Sequence, residues 1–100
     1  NVTAIAVYSD SEQTGFFESS NELLNRFVDA TIWSTKGNSL DIPTDCPTRE
    51  RHGWTGDAQV FCRTAAINFD VEKFFEKWLG DVAIEQAHEN GIVRGVVREY

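Results

Sequence analysis

Residues 41–61 read DIPTDCPTRERHGWTGDAQVF, and the breaks in this run organise the chain around it. Pro43 and Pro47 each lack a backbone N–H and clash with a preceding helical turn, so the run cannot lie within a helix. The spacing predicts a loop from Asn38 to Thr55. At about 18 residues it is long for a compact domain, and loops of that size are usually functional or disordered. Upstream, Leu23, Leu24, Phe27, Val28 and Thr31 recur at helical spacing and predict a helix from Ser20 to Lys36. Ser19 and Glu22 stand as an S-x-x-E capping box at its start, and Gly37 suits the left-handed turn at its end. Downstream, Phe61 with Ala65 and Cys62 with Ala66 predict a second helix over 56–67, with Asp57 in its first turn facing the helix dipole. Asp70 is expected to cap a third helix reaching Glu89, whose apolar stripe is Val71, Phe74, Phe75, Trp78, Leu79 and Val82. Gly91 ends it, and Ile92–Tyr100 reads as a short strand or loop. At the other end, Val2–Tyr8 (VTAIAVY) reads as a strand, followed by the polar loop Ser9–Gly15.

The fold class is therefore mainly α, with three helices that could form a small bundle and one strand lacking a partner. One hundred residues allow at most one domain. A hydrophobic share of 41% with 25% charged residues is that of a globular chain, which excludes disorder. A net charge of −7 argues against a nucleic-acid partner, which wants a basic face, and against an anionic membrane. No apolar run is long enough to span a bilayer. The start at Asn1, the lack of any methionine and the lack of a secretory signal read as a piece cut from a longer chain, with its compartment open. Cys46 and Cys62 are too few for a disulfide framework and are expected to be free, buried thiols. Seven Phe and three Trp are many for three helices. That surplus predicts exposed core surfaces through which copies of the chain associate as a homo-oligomer.

The chemistry gathers in DCPTRERHGWTGD, residues 45–57, which holds Asp45, Arg49, Glu50, Arg51, His52, Trp54 and Asp57. Crowded carboxylates raise one another's pKa, which keeps one of a set protonated as a general acid. An indole offers a flat apolar face to the C–H side of a sugar ring, and arginines orient hydroxyls through forked hydrogen bonds. Together these are a sugar-binding inventory. The alternative is a solvated surface loop held by salt bridges, with Trp54 in the core and Asp57 a mere dipole partner. Guanidiniums at 49 and 51 favour a charged Glu50, so an acid role needs them turned away or paired with Asp45 and Asp57. The spacing of Asp45, Glu50, His52 and Asp57 matches no metal motif, and a Cys46–His52 nucleophile pair lacks a third group to orient it. No cofactor or metal is expected.

The run DIPTDCPTRERHGWTGDAQVF resembles the signature of the family 78 glycoside hydrolases, the α-L-rhamnosidases of bacteria and fungi. The likeness extends through FFESSNELLNRFVDATIWSTKGNSLDIPTDCP before it and TAAINFDVEKFFEKWLGDVAIEQ after it, covering residues 14–90. It implies that the three helices are the opening helices of an (α/α)6 barrel (residues 16–100), and that residues 1–15 are the end of a preceding β-sandwich with its linker. It implies an inverting hydrolase that releases α-L-rhamnose from glycosides or polysaccharides. Glu50 is then the proton donor. Asp45 and Asp57 hold rhamnose hydroxyls, and Arg49 and Trp54 line the same subsite. The general base would lie far downstream, so the chain alone is expected to be inactive, with a rhamnose-containing carbohydrate as the partner of its parent. The other reading is a small helical binding module without catalysis.

Overall fold

In the computed structural model, which describes residues 1–97, three helices alternate with two very small hairpins. In chain order the elements are α1 (Glu22–Gly37), β1 (Ser39–Leu40), β2 (Ile42–Pro43), β3 (Gly53–Trp54), α2 (Thr55–Asn68), α3 (Glu72–His88) and β4 (Val96–Val97). The helices lie where periodicity places them, within about two residues at each end.

The ends of the helices show which cap wins. Asn21, not Ser19, caps α1: its side chain accepts from the amides of Leu23 at 3.0 Å and Leu24 at 3.2 Å. A cap of this kind contributes about 1 kcal/mol. The expected Ser19–Glu22 box does not form, because the Ser19 hydroxyl and amide are both engaged by the Asn25 side chain, at 2.9 Å each. Asp70 accepts the amide of Glu72 at 3.3 Å, so it caps α3 from one residue outside the cap position at Val71. Helix α3 ends at two residues with positive φ, Asn90 and Gly91, and the Gly91 amide returns to the Gln86 carbonyl at 2.8 Å. This left-handed exit satisfies a carbonyl the helix would otherwise leave open.

The predicted 38–55 loop is not structureless. Ser39–Leu40 folds back on Ile42–Pro43 around Asp41, whose φ of 69° an aspartate tolerates better than most residues. The turn is pinned from both sides: the Asp41 amide donates to Ser9 Oγ at 2.8 Å, and Lys77 Nζ of α3 sits 3.1 Å from Asp41 Oδ2. The same lysine lies 2.7 Å from Asp81 Oδ2, a buried carboxylate oxygen that receives charge compensation without a well-aligned hydrogen bond. The second hairpin joins distant parts of the chain, pairing Gly53 with Val97 and Trp54 with Val96. Of the predicted tail, residues 96–97 are thus strand, while 98–100 lie outside the described residues.

The core sits between these hairpins and α3. Trp78, 3% exposed, packs with Ile42, Ala58 and Val97, flanked by Phe75 and Val82. Gly53 is required here, because a Cβ at this position would press on the Trp78 ring and lie 2.6 Å from the Val97 carbonyl oxygen. Each helix makes its main contacts with a hairpin rather than with another helix, so the expected bundle does not form. The predicted stripe of α1 stays largely open, with Leu23, Leu24 and Phe27 exposed, and Leu79 of α3 points outward as well. The radius of gyration of 15.2 Å exceeds the roughly 13 Å of a compact domain this size.

Val2–Tyr8 forms no sheet. These residues are exposed, and a strand without a neighbour has no ladder to join. The segment is tied down at its end, by the Ser9 amide on the Ser39 carbonyl at 2.7 Å, by Ser9 Oγ accepting the Asp41 amide, and by Lys36 Nζ, 5.1 Å from the Tyr8 ring centroid. Further on, Gln13 bridges to Phe69.

Candidate active site

The acidic loop is closed by a clasp at its base. The Asp45 amide donates to the His52 carbonyl at 3.2 Å, and the His52 amide donates to Asp45 Oδ1 at 2.9 Å. Within the closed segment the Glu50 amide donates to Cys46 Sγ at 3.0 Å. Arg51 then turns with φ 55°, a left-handed conformation costly for a long side chain. The chain next enters β3 and α2, whose first turn the tail completes: the Thr55 amide donates to the Gly95 carbonyl at 2.8 Å, and Thr55 Oγ1 reaches the same oxygen at 3.2 Å.

Glu50 is exposed at the tip of this loop, and its Oε2 accepts the indole N–H of Trp54 at 3.0 Å. Burial against the Trp54 face is not what the structure shows; the contact is with the polar edge of the ring. Trp54 is itself about a third exposed. Arg49 is exposed, and among the described residues no ion pair joins Arg49 or Arg51 to Asp45, Glu50 or Asp57. The carboxylates are divided. Asp45 and Asp57 line a cleft of about 450 Å³ walled by Phe61, Phe69, Phe74 and Phe75, whereas Glu50, Arg49 and Trp54 lie outside it. Asp57, in the first turn of α2, is exposed.

Desolvation pushes the Asp45 carboxyl up, but the His52 amide outweighs it together with the Cys46 side chain and the amides of Asp45 and Cys46, leaving Asp45 below the usual carboxylate range. A depressed folded-state value means stability that is present above the unfolded pKa and lost as pH falls through the folded one. The clasp should therefore weaken on acidification. Unfolding free energies of wild type and Asp45→Asn, measured across roughly pH 2–7, should differ at neutral pH and converge in acid. A pH-independent difference would show that the Asp45 charge does not hold the loop.

Residue types alone gave no sign of Cys46 as an acceptor or of His52 acting through its backbone. Both cysteines are free, and half-buried rather than buried. Among the described residues no group of three or more His, Cys, Asp or Glu side chains gathers as a metal site.

The chain thus presents three helices with a clasped, carboxylate- and indole-bearing loop between the first two. The bacterial alpha-L-rhamnosidase 6-hairpin glycosidase domain matches residues 12–100, and the chain belongs to that family. The match runs past residue 90, through the tail that supplies β4. An alpha-L-rhamnosidase of Formosa agariphila is 46% identical over 97 residues, which are 96% of this chain and 10% of that protein. The crystal structure of an Aspergillus terreus alpha-L-rhamnosidase superposes with a TM-score of 0.89 at 46% identity, over 93% of this chain and 11% of the other. The Streptomyces avermitilis alpha-L-rhamnosidase, solved in complex with L-rhamnose, gives 0.85 at 37% identity over 90% and 9%. The chain spans about a tenth of the length of these relatives.

Proposed function

We propose that this chain carries the acid half of the active site of an inverting α-L-rhamnosidase, with Glu50 as the proton donor. Family membership supports the activity class. The observation that carries the role of Glu50 is its place on a clasped loop, with one carboxyl oxygen 3.0 Å from the Trp54 indole nitrogen. Asp45 and Asp57 bind rhamnose hydroxyls, Asp45 through the oxygen that His52 leaves unused, and Arg49 and the Trp54 side chain, outside the cleft those two line, bound the subsite from the side of Glu50. Inversion needs a second carboxylate about 6.5–9.5 Å from the first, with water between them. We assign that base to a residue outside these 100, so the isolated chain should not turn over. In the full-length protein an aryl α-L-rhamnoside should yield β-L-rhamnose as the first anomer seen by NMR. The α-anomer appearing first would reject inversion, and no hydrolysis would reject the activity.

On this reading residues 16–100 open the helical barrel and residues 1–15 end a preceding sandwich domain, in keeping with the exposed, unpaired 2–8 segment. The open faces of α1 and α3 are barrel-packing surfaces, and in the isolated chain they drive association. Sedimentation should show an oligomer; a monomer at high concentration would reject that. No helix among the described residues is long and apolar enough to cross a membrane.

A further inference from the structure

We infer that Trp54 is a positioning residue for the proton donor: its indole N–H holds one carboxyl oxygen of Glu50 and thereby assigns the transferable proton to the other. The inference rests on Glu50 being the acid. It gives Trp54 a task beyond lining a sugar subsite.

The indole nitrogen is a donor only. A donor cannot face the hydroxyl proton, so when Glu50 is protonated the bond to Oε2, at 3.0 Å, leaves the proton on Oε1. Both ends of that bond are held. On the glutamate side, the Glu50 amide is fixed to Cys46 Sγ and the loop is closed by the Asp45–His52 pair. On the indole side, the Trp54 backbone pairs with Val96, and the chain passes close to the ring at Gly95, where an added Cβ would sit 3.5 Å from Cζ3. Neighbouring Gly53 is wedged against Trp78. The donor is therefore aimed by the pairing of β3 with β4, and the acceptor by the clasped loop.

The chemistry rewards this arrangement in the transition state. The proton leaves Oε1 for the glycosidic oxygen, the C1–O bond breaks with its electron pair going to that oxygen, and water adds at C1 as it gives a proton to the base assigned outside these residues. Negative charge then develops across both carboxyl oxygens, so the indole bond to Oε2 becomes charge-assisted and stronger. An interaction that strengthens as the reaction proceeds raises kcat without tightening substrate binding.

The test compares two rhamnosides in the full-length protein: an alkyl one, whose leaving oxygen needs a proton, and a 2,4-dinitrophenyl one, whose leaving group does not. Trp54→Phe keeps a ring and removes the N–H. It should lower kcat on the alkyl substrate roughly 10- to 100-fold, as expected for a lost hydrogen bond to a charged group. Turnover of the dinitrophenyl substrate should fall much less, so the ratio of the two kcat values, rather than either alone, reports the indole N–H. In a Glu50→Gln background the same change should cost little more, because the two residues act as one unit. If Trp54→Phe impairs folding, a benzothienylalanine at position 54, with sulfur in place of the N–H, should give the same selective loss. An equal fall on both substrates, or a higher KM with kcat intact, would make Trp54 a stacking surface and overturn the inference. A wild-type protein that hydrolyses neither substrate would instead overturn the rhamnosidase reading.

Discussion

Glu50→Gln in the full-length protein should lower kcat on alkyl rhamnosides by about 10²–10⁴-fold, the usual worth of a general acid. The substitution is close to isosteric. The glutamine amide oxygen can still accept the Trp54 N–H, now at 3.0 Å from Glu50 Oε2, so the loop geometry should persist while the transferable proton disappears. The loss should shrink sharply with dinitrophenyl rhamnosides, and KM should move little. Steady-state kinetics with the two leaving groups, alongside thermal unfolding to confirm an intact fold, decides the matter. A variant that retains alkyl-rhamnoside turnover would remove Glu50 from the role of acid.

The second large effect concerns stability. Trp78→Ala should cost about 3–5 kcal/mol, the range for truncating a buried large aromatic residue. Trp78 is 3% exposed, and it is the residue on which Ile42, Ala58, Val97 and the Gly53 backbone converge. Against typical domain stabilities of about 5–15 kcal/mol, this is a large fraction. Urea unfolding of the 100-residue chain should show the midpoint collapsing, or no cooperative transition remaining. A shift below about 1 kcal/mol would mean that the hairpins are held by something other than this ring. Activity in the full-length protein should fall with it, because Gly53, beside Trp54, rests on Trp78.

The helices were legible because their signals are local. Apolar residues recur every three to four positions, and Gly91 marks the left-handed exit after α3; Gly37, expected to do the same for α1, stays within the helix, which closes at Asn38 with φ −111°. The capping error at α1 came from two adequate capping residues two positions apart, Ser19 and Asn21. The choice was made by the Asn25 side chain, which occupies Ser19. The hairpins were illegible for a different reason. Strands of two residues carry no alternation, and 53–54 and 96–97 are separated by α2 and α3, so their pairing is set by tertiary packing on Trp78 and by no turn. Val2–Tyr8 has the composition of a strand, but sheet structure belongs to pairs of segments, and its own chain offers it no mate. At the site, the density of charge and the motif singled out the loop that the structure shows clasped at its base, and the residue types suggested sugar chemistry. They did not show how the loop is held. A thiol accepting an amide, and a histidine acting through its backbone, leave no trace in side-chain chemistry. Nor does a sequence reveal that Trp54 turns its N–H toward Glu50 and that the cleft admits Asp45 and Asp57 but not Glu50.

The joining of Thr55 to Gly95 spans 40 positions and bears on the order in which the molecule assembles. Helices α2 and α3 lie between them and can form from local contacts, while closing so long a span carries an entropy cost that must be met first. During synthesis the indole frame cannot be completed until β4 has left the ribosome, well after the acidic loop itself. The Glu50–Trp54 contact is therefore expected to be among the last in this segment to form.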